Sequence, residues 1–245
     1  MKMNFFSTLK SKIKLSDLIL DSNVEDSVKQ ICNEYRKKDT LNYSKKILLT
    51  SLKSGVGKVS TAIAVANELS LDIKYIHLEL ITSMENVCKI FEKMQKKAVY
   101  IFEDIQTLYL TCPFNVCNYL LCRLNYYNGK GLIFCTETLK IESSKSTIDM
   151  FDYVIQYSGN LTEKNIDMLL TKFLGTFKCD NLNVKYLTLA FKNFTIFDIY
   201  KICNLAVKQA LVKDCKIVSA KMLINNISNY SYNDSSNVEN NLLNE

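Results

Sequence analysis

Five short apolar runs punctuate the first two thirds of the chain: KILLT at 46–50, IKYIHL at 73–78, AVYIFE at 98–103, GLIFCT at 131–136 and DYVIQY at 152–157. Their apolar residues are continuous rather than alternating, which suits strands covered on both faces. Between them the period lengthens. Ala62, Ala66 and Leu69 fall on one helical face after the first run. Met84, Val87, Cys88 and Phe91 do the same after Thr82-x-x-Glu85, a capping-box spacing. Strands that alternate with helices predict a parallel α/β sheet, here of five strands. Upstream, Ser22-x-x-Glu25 opens an amphipathic stretch with Val24, Val28, Ile31, Cys32 and Tyr35 on one side. From 161 onward the period is helical throughout. Ile166, Leu169, Leu170 and Phe173 form one face, and Thr195-x-x-Asp198 opens a helix carrying Ile199, Ile202, Cys203, Ala206 and Ala210. The chain therefore divides into a helical segment and linker at 1–40, an α/β domain at 41–160 and a small all-helical unit at 161–230. The Asn- and Ser-rich tail at 231–245 is expected to be disordered.

Composition narrows this picture by exclusion. The net charge of +6 comes from 31 basic and 25 acidic residues spread along 245 positions, so no basic face marks a nucleic-acid binder. No stretch approaches the ~18 apolar residues that span a bilayer. The amino terminus, MKMNFFSTLKSKIKLSDLIL, interleaves Lys and Ser with its apolar residues and lacks a small-residue cleavage site, so no secretory signal is read there. A cytosolic or nuclear placement follows. Nine cysteines without C-x-x-C spacing suggest free thiols, and Cys112, Cys117 and Cys122 are expected on one helix as buried ones. His77 is the single histidine, which leaves serine-type triads and His-rich metal sites little to use.

The candidate chemistry lies in TSLKSGVGKVST, residues 50–61. In the pattern G-x-x-x-x-G-K-[ST], glycine amides line phosphates, the Lys reaches the outer phosphate oxygens and the last hydroxyl ligates Mg²⁺. Gly55, Gly57 and Lys58 fit; Leu52 stands at the first glycine position and Val59 at the metal-ligating one. Ser60 follows, but one step along a helix turns a side chain by about 100°, so it does not take over that role. A predicted strand precedes the loop and an Ala-rich helix follows Lys58, so the helix amino terminus points at whatever the loop holds. The candidate nucleotide-binding residues are Ser54, Gly55, Val56, Gly57, Lys58, Val59 and Ser60. VYIFED then ends a buried strand in two carboxylates, Glu103 as the acid for Mg²⁺ and Asp104 as the one that orients water.

The succession of this loop, VYIFED, LIFCTET, FDYVIQYSGNLTEKNIDMLL and FKNFTIFDIYKICNLAVKQAL resembles the AAA branch of the AAA+ ATPases over roughly residues 17–228. The helical unit is similar to that family's lid, whose Gly-Phe-Ser/Thr-x-x-Asp-Ile run is matched from Asn193 to Ile199 except for the glycine. Within the branch it resembles most the degenerate first ATPase domain of the peroxisome-biogenesis ATPases, peroxins one and six. The resemblance implies a P-loop NTPase sheet with a lid, ATP and Mg²⁺ as cofactors, partner AAA subunits in a hetero-oligomeric ring, a protein client, and a cytoplasmic location that includes the periphery of an organelle membrane. It also exposes departures. The family's Asp-Glu acid pair is Glu103-Asp104 here; its sensor asparagine is replaced in CTET by Glu137 or Thr138, of which Thr138 is the catalytic candidate. Arg36 and Arg123 are the only arginines, so the neighbourhood of Asp149 and Met150 offers no arginine finger, and LELITSMENV lacks the aromatic and glycine of a pore loop. These departures imply a module that binds ATP, holds Mg²⁺ weakly and hydrolyses little, as a structural or regulatory ring subunit. The alternatives are a working ATPase that remodels proteins, with Glu103 on Mg²⁺ through water and a neighbour's arginine completing the site, and a clamp-loader or origin-recognition type subunit acting on DNA.

Overall fold

The structure, a computed structural model, describes residues 4–37, 44–94, 96–138, 148–180 and 184–230. The tail expected to be disordered lies outside them. The chain forms two compact units, one up to Ser158 and one from Gly159.

In the first unit the five predicted strands are present as β2 (Lys45–Ser51), β3 (Asp72–Ile76), β4 (Ala98–Phe102), β5 (Gly131–Thr138) and β6 (Tyr153–Tyr157), all joined in parallel. A sixth, β1 (Phe6–Leu9), pairs antiparallel with β3 at the edge, so the sheet is mixed and runs β1-β3-β4-β5-β2-β6. Its four residues carry too short an alternation to be read from the pattern, and it forms because Phe5 beside it is buried in the core. The runs of β2, β4 and β5 are continuous because both faces are covered, whereas β6, at the other edge, alternates, with Val154 and Gln156 exposed. Leu48, Tyr100, Phe102, Ile133 and Cys135 face Val87, Ile90 and Phe91 of α3 (Met84–Lys93) and Leu120 of α5 (Phe114–Asn125). Ile47, Leu49, Val99, Ile101, Leu132 and Phe134 face Val28 and Ile31 of α1 (Ser22–Lys37) and Ala62, Val65 and Ala66 of α2 (Lys58–Glu68). Truncating any of these Leu, Ile or Phe side chains to Ala would cost about 2–5 kcal/mol.

Two local expectations shift. The cap of α3 is Ser83, whose hydroxyl accepts from the Asn86 amide, while Thr82 packs onto the Asn86 side chain. The cap is thus one residue later than Thr82-x-x-Glu85 placed it, and the Asn86 side chain accepts from Thr82 rather than from the Ser83 amide. Cys112, Cys117 and Cys122 do not share a buried helical face: Cys112 precedes Pro113 after the short α4 (Leu108–Thr111), Cys117 is buried and Cys122 is exposed, because a spacing of five rotates a helix by well over a full turn.

The second unit contains α6 (Glu163–Leu174), α7 (Val184–Phe191), α8 (Ile196–Val212) and α9 over 220–230. It is not wholly helical, since β7 (Lys178–Asp180) and β8 (Ile217–Ser219) form a short parallel pair. Thr195 and Asp198 make the predicted capping box on α8, and Thr162 with Asn165 makes another on α6. Tyr230 donates to Asp198 Oδ1 at 2.7 Å, fastening α9 to the start of α8. The buried Asn226 exchanges amide hydrogen bonds with Gln209 at 3.0 and 3.2 Å. Among the described residues no helix is long and apolar enough to cross a membrane.

Candidate nucleotide site

The strand order determines what meets at the loop. The loop leaves β2 and the acids leave β4, with β5 between them, so the end of β5 lies beside both. Register sets Ser51 directly opposite Thr138. Strand alternation sorts the side chains by face: Leu49, Ile101 and Phe134 lie on the α2 side, so Ser51, Glu103, Thr136 and Thr138, each at an even offset from one of them, share that side. Glu137 alternates to the opposite face and is buried there. Of the two residues that CTET offered, the geometry brings Thr138 to the loop.

The loop turns through two left-handed glycines, Gly55 at φ 74° and Gly57 at φ 100°. Gly57 caps α2, so Lys58 opens the helix with the helix amides turned toward the loop. Leu52 needs no positive φ and is 69% exposed, so the loop forms without the first glycine of the motif. Val56 is buried among Val24, Val28 and Ala62, anchoring the loop to the core rather than offering a ligand contact. Ser54 is exposed, and Val59 and Ser60 are half-buried.

Lys58 is only 7% exposed. Its ammonium donates to Ser51 Oγ at 2.6 Å and Thr138 Oγ1 at 3.1 Å, with a longer contact of 3.4 Å to the Lys53 carbonyl. Ser51 spends its own proton on that same carbonyl. Burial pushes Lys58 below the ordinary lysine range, against the charges of Asp104 and then Glu103, which favour its protonated form. The loop, the acid pair and the β5 hydroxyl therefore act on one ammonium.

Each acid is fixed by a neighbour. Glu103 Oε2 accepts from the Tyr75 hydroxyl at 2.7 Å. Tyr75 pairs with Ile101, which places it diagonal to Glu103 on the same face. Burial, followed by that bond and the Glu103 charge, raises the Tyr75 phenol and keeps it a donor. Asp104 sits in left-handed backbone at φ 50°, ψ 57°. Its amide donates to Thr136 Oγ1 at 2.9 Å, and its carbonyl accepts from the Thr107 amide and hydroxyl at 2.9 and 2.8 Å. Behind the loop, Thr61 donates to the Gly57 carbonyl at 3.0 Å and accepts from Tyr157 of β6 at 2.8 Å, tying α2 to the sheet.

Ser51, Tyr75 and Thr136 were absent from the sequence reading. A hydroxyl at the residue directly after KILLT was the available signal for Ser51; the other two needed the strand order. Both arginines are engaged within the first unit, Arg36 with Glu68 at 2.6 Å and Arg123 over the rings of Phe91 and Tyr119.

No family model matches the chain, and no curated protein matches it in sequence. Solved structures do match in shape. The FIGL-1 AAA domain in complex with ADP superposes with a TM-score of 0.74 over 91% of this chain and 85% of that one, at 14% identity. The AAA+ ATPase fold is this chain's fold. A structure of katanin concerned with its self-assembly gives a TM-score of 0.70 at 16% identity, covering 91% of this chain and 87% of that one. The Thermotoga maritima RuvB Holliday junction branch migration motor gives 0.72 at 13% identity over 88% and 71%. Within an AAA+ fold, the residues just described occupy the end of the sheet where the loop strand and the acid strand both finish.

Proposed function

We propose that this chain is a nucleotide-binding AAA module with degenerate catalytic motifs that serves a ring-forming machine as a structural or regulatory subunit. The observation that carries the reading is the Lys58 ammonium, buried at the start of α2 between Ser51 and Thr138 and under the charges of Asp104 and Glu103. A triphosphate suits this donor set. A Cβ built on Gly57 would meet no atom within 4 Å, so there is open space at the loop's last glycine, and the helix amino terminus that follows it favours an anion. Gly55, Gly57 and the α2 amides would line the phosphates, and Lys58 would supply the full positive charge. Mg²⁺ is served less well: Val59 has no oxygen where the motif puts a hydroxyl, and one oxygen of Glu103 is taken by Tyr75. Metal binding is accordingly weak and follows the nucleotide rather than the protein.

Hydrolysis is negligible on this reading. Asp104 is a methylene shorter than the Glu expected of a water-orienting base, Thr138 already accepts from Lys58, and neither arginine is available as a finger. Assembly requires partner subunits with arginines of their own, and the resemblance to the first ATPase domain of the peroxisome-biogenesis ATPases favours a protein client at the periphery of an organelle. The test is calorimetric titration of ATP and ADP into the full chain, with and without Mg²⁺, alongside phosphate-release kinetics. Micromolar binding that depends little on Mg²⁺, with turnover at background, is the expected result. Robust turnover by the chain alone, abolished in Lys58→Ala, would establish a working ATPase instead.

A further inference from the structure

We propose that Ser51, a residue of the strand rather than of the loop, is the positioning residue that sets the Lys58 ammonium for phosphate. The inference rests on the nucleotide reading above and deepens it. An ammonium has three N–H donors and no acceptor, and Lys58 points all three at named oxygens: Ser51 Oγ, Thr138 Oγ1 and the Lys53 carbonyl. The shortest of the three contacts, 2.6 Å, is to Ser51.

The hydroxyl is itself prepared for this role. Ser51 is fully buried and donates its one proton to the Lys53 carbonyl, which leaves its lone pairs turned toward Lys58. Because Ser51 and Thr138 are register partners across β2 and β5, their hydroxyls stand side by side at roughly the 4.8 Å spacing of paired strands, a gap that one ammonium can bridge. The loop thus borrows its lysine's orientation from the rigid sheet. On arrival of a phosphate, the 3.4 Å contact to the Lys53 carbonyl is the weakest and gives way first, while Ser51 and Thr138 keep Nζ in place. This lessens the rotamer freedom that binding would otherwise have to freeze in a long, flexible side chain.

The experiment titrates ATP into the full-length protein and its Ser51→Ala variant across neutral to alkaline pH, with thermal unfolding measured in parallel. Ser51→Ala deletes one acceptor of a charge-assisted hydrogen bond, so ATP affinity should fall about tenfold. The alkaline point at which affinity is lost should also move to lower pH, because the ammonium loses an acceptor while Asp104 and Glu103, whose charges reach it, are unchanged. Ser51→Cys, nearly isosteric and a poor acceptor, should shift both in the same direction and serves where the alanine variant fails to fold. Wild-type affinity and an unmoved pH profile in both variants would overturn the inference and leave the nucleotide reading intact. Weaker binding with an unmoved profile would make Ser51 merely structural, and also overturns it. A wild-type chain that takes up no ATP would overturn both.

Discussion

Replacing Gly57 with Ala separates the loop's conformational requirement from its steric one. At φ 100° a residue with a Cβ is strained by about 1–3 kcal/mol. The new methyl meets no atom within 4 Å, so nothing is added by contact. For a chain of this length each kcal/mol moves Tm by about 2–4 °C, so a fall of about 2–12 °C is expected. On the nucleotide reading the phosphate fills that open space, and the methyl would then compete with it. Displacing the anion from two amide donors, at about 1.5–3 kcal/mol for each bond to a charged group, weakens ATP binding by at least about 100-fold. Gly131→Ala is the contrasting case. Gly131 has φ 120° and its Cβ would lie 2.2 Å from the Ala98 carbonyl oxygen and 2.9 Å from the Ala98 nitrogen, both backbone atoms that cannot turn aside. The first rung between β4 and β5 must part, at a cost beyond about 4 kcal/mol. Scanning calorimetry supplies the Tm values and titration calorimetry the affinities. Equal destabilisation by the two variants, or undiminished ATP binding by Gly57→Ala, would refute the reasoning.

Lys58→Met should lower ATP affinity by about 100-fold or more while leaving the unliganded protein as stable or slightly more so, since burial already disfavours the charge; calorimetric titration with thermal unfolding checks both halves. Above pH of about 10, where tyrosines ionise in an unfolded chain, stability should fall, because burial raises Tyr75, Tyr127 and Tyr157 and the folded state keeps protons that the unfolded state releases. Denaturant titrations at successive alkaline pH values measure this, and Tyr157→Phe should flatten the decline. Tyr75→Phe and Glu103→Gln should be non-additive in a double-mutant cycle, with a coupling on the order of 1 kcal/mol, and strict additivity would show that the 2.7 Å bond contributes nothing.

The central strands β2, β4 and β5 were legible because each is a continuous apolar run covered on both faces, and β6 because its apolar residues cluster although it alternates at the edge, with Val154 and Gln156 exposed. β1 was not, since an edge strand with one deeply buried neighbour carries almost no period. The β7 and β8 pair was hidden for a similar reason, being three residues on each side. At the site, Gly55, Gly57 and Lys58 announced themselves through local chemistry. The choice between Glu137 and Thr138 did not, yet it follows from alternation once Phe134 is known to face α2. Tyr75 and Thr136 depend on which strands are neighbours, information that lies in the long-range pairing of β3 with β4 and β4 with β5 rather than in any one stretch.

The left-handed backbone at Asp104 bears on which acid this position accepts. Asp and Asn are the side-chain-bearing residues that most readily accept that conformation, and here the amide bond to Thr136 and the two bonds from Thr107 hold it. A Glu at 104 would regain the missing methylene only by sitting where longer side chains are disfavoured, unless the turn into α4 were rebuilt around it. Thr136 and Thr107 have thereby become part of the context that an Asp suits. The order Glu103-Asp104 is then matched to its surroundings: a Glu placed at 104 alone is uphill, and accommodating it takes coordinated changes at Thr136 and Thr107 rather than a single substitution.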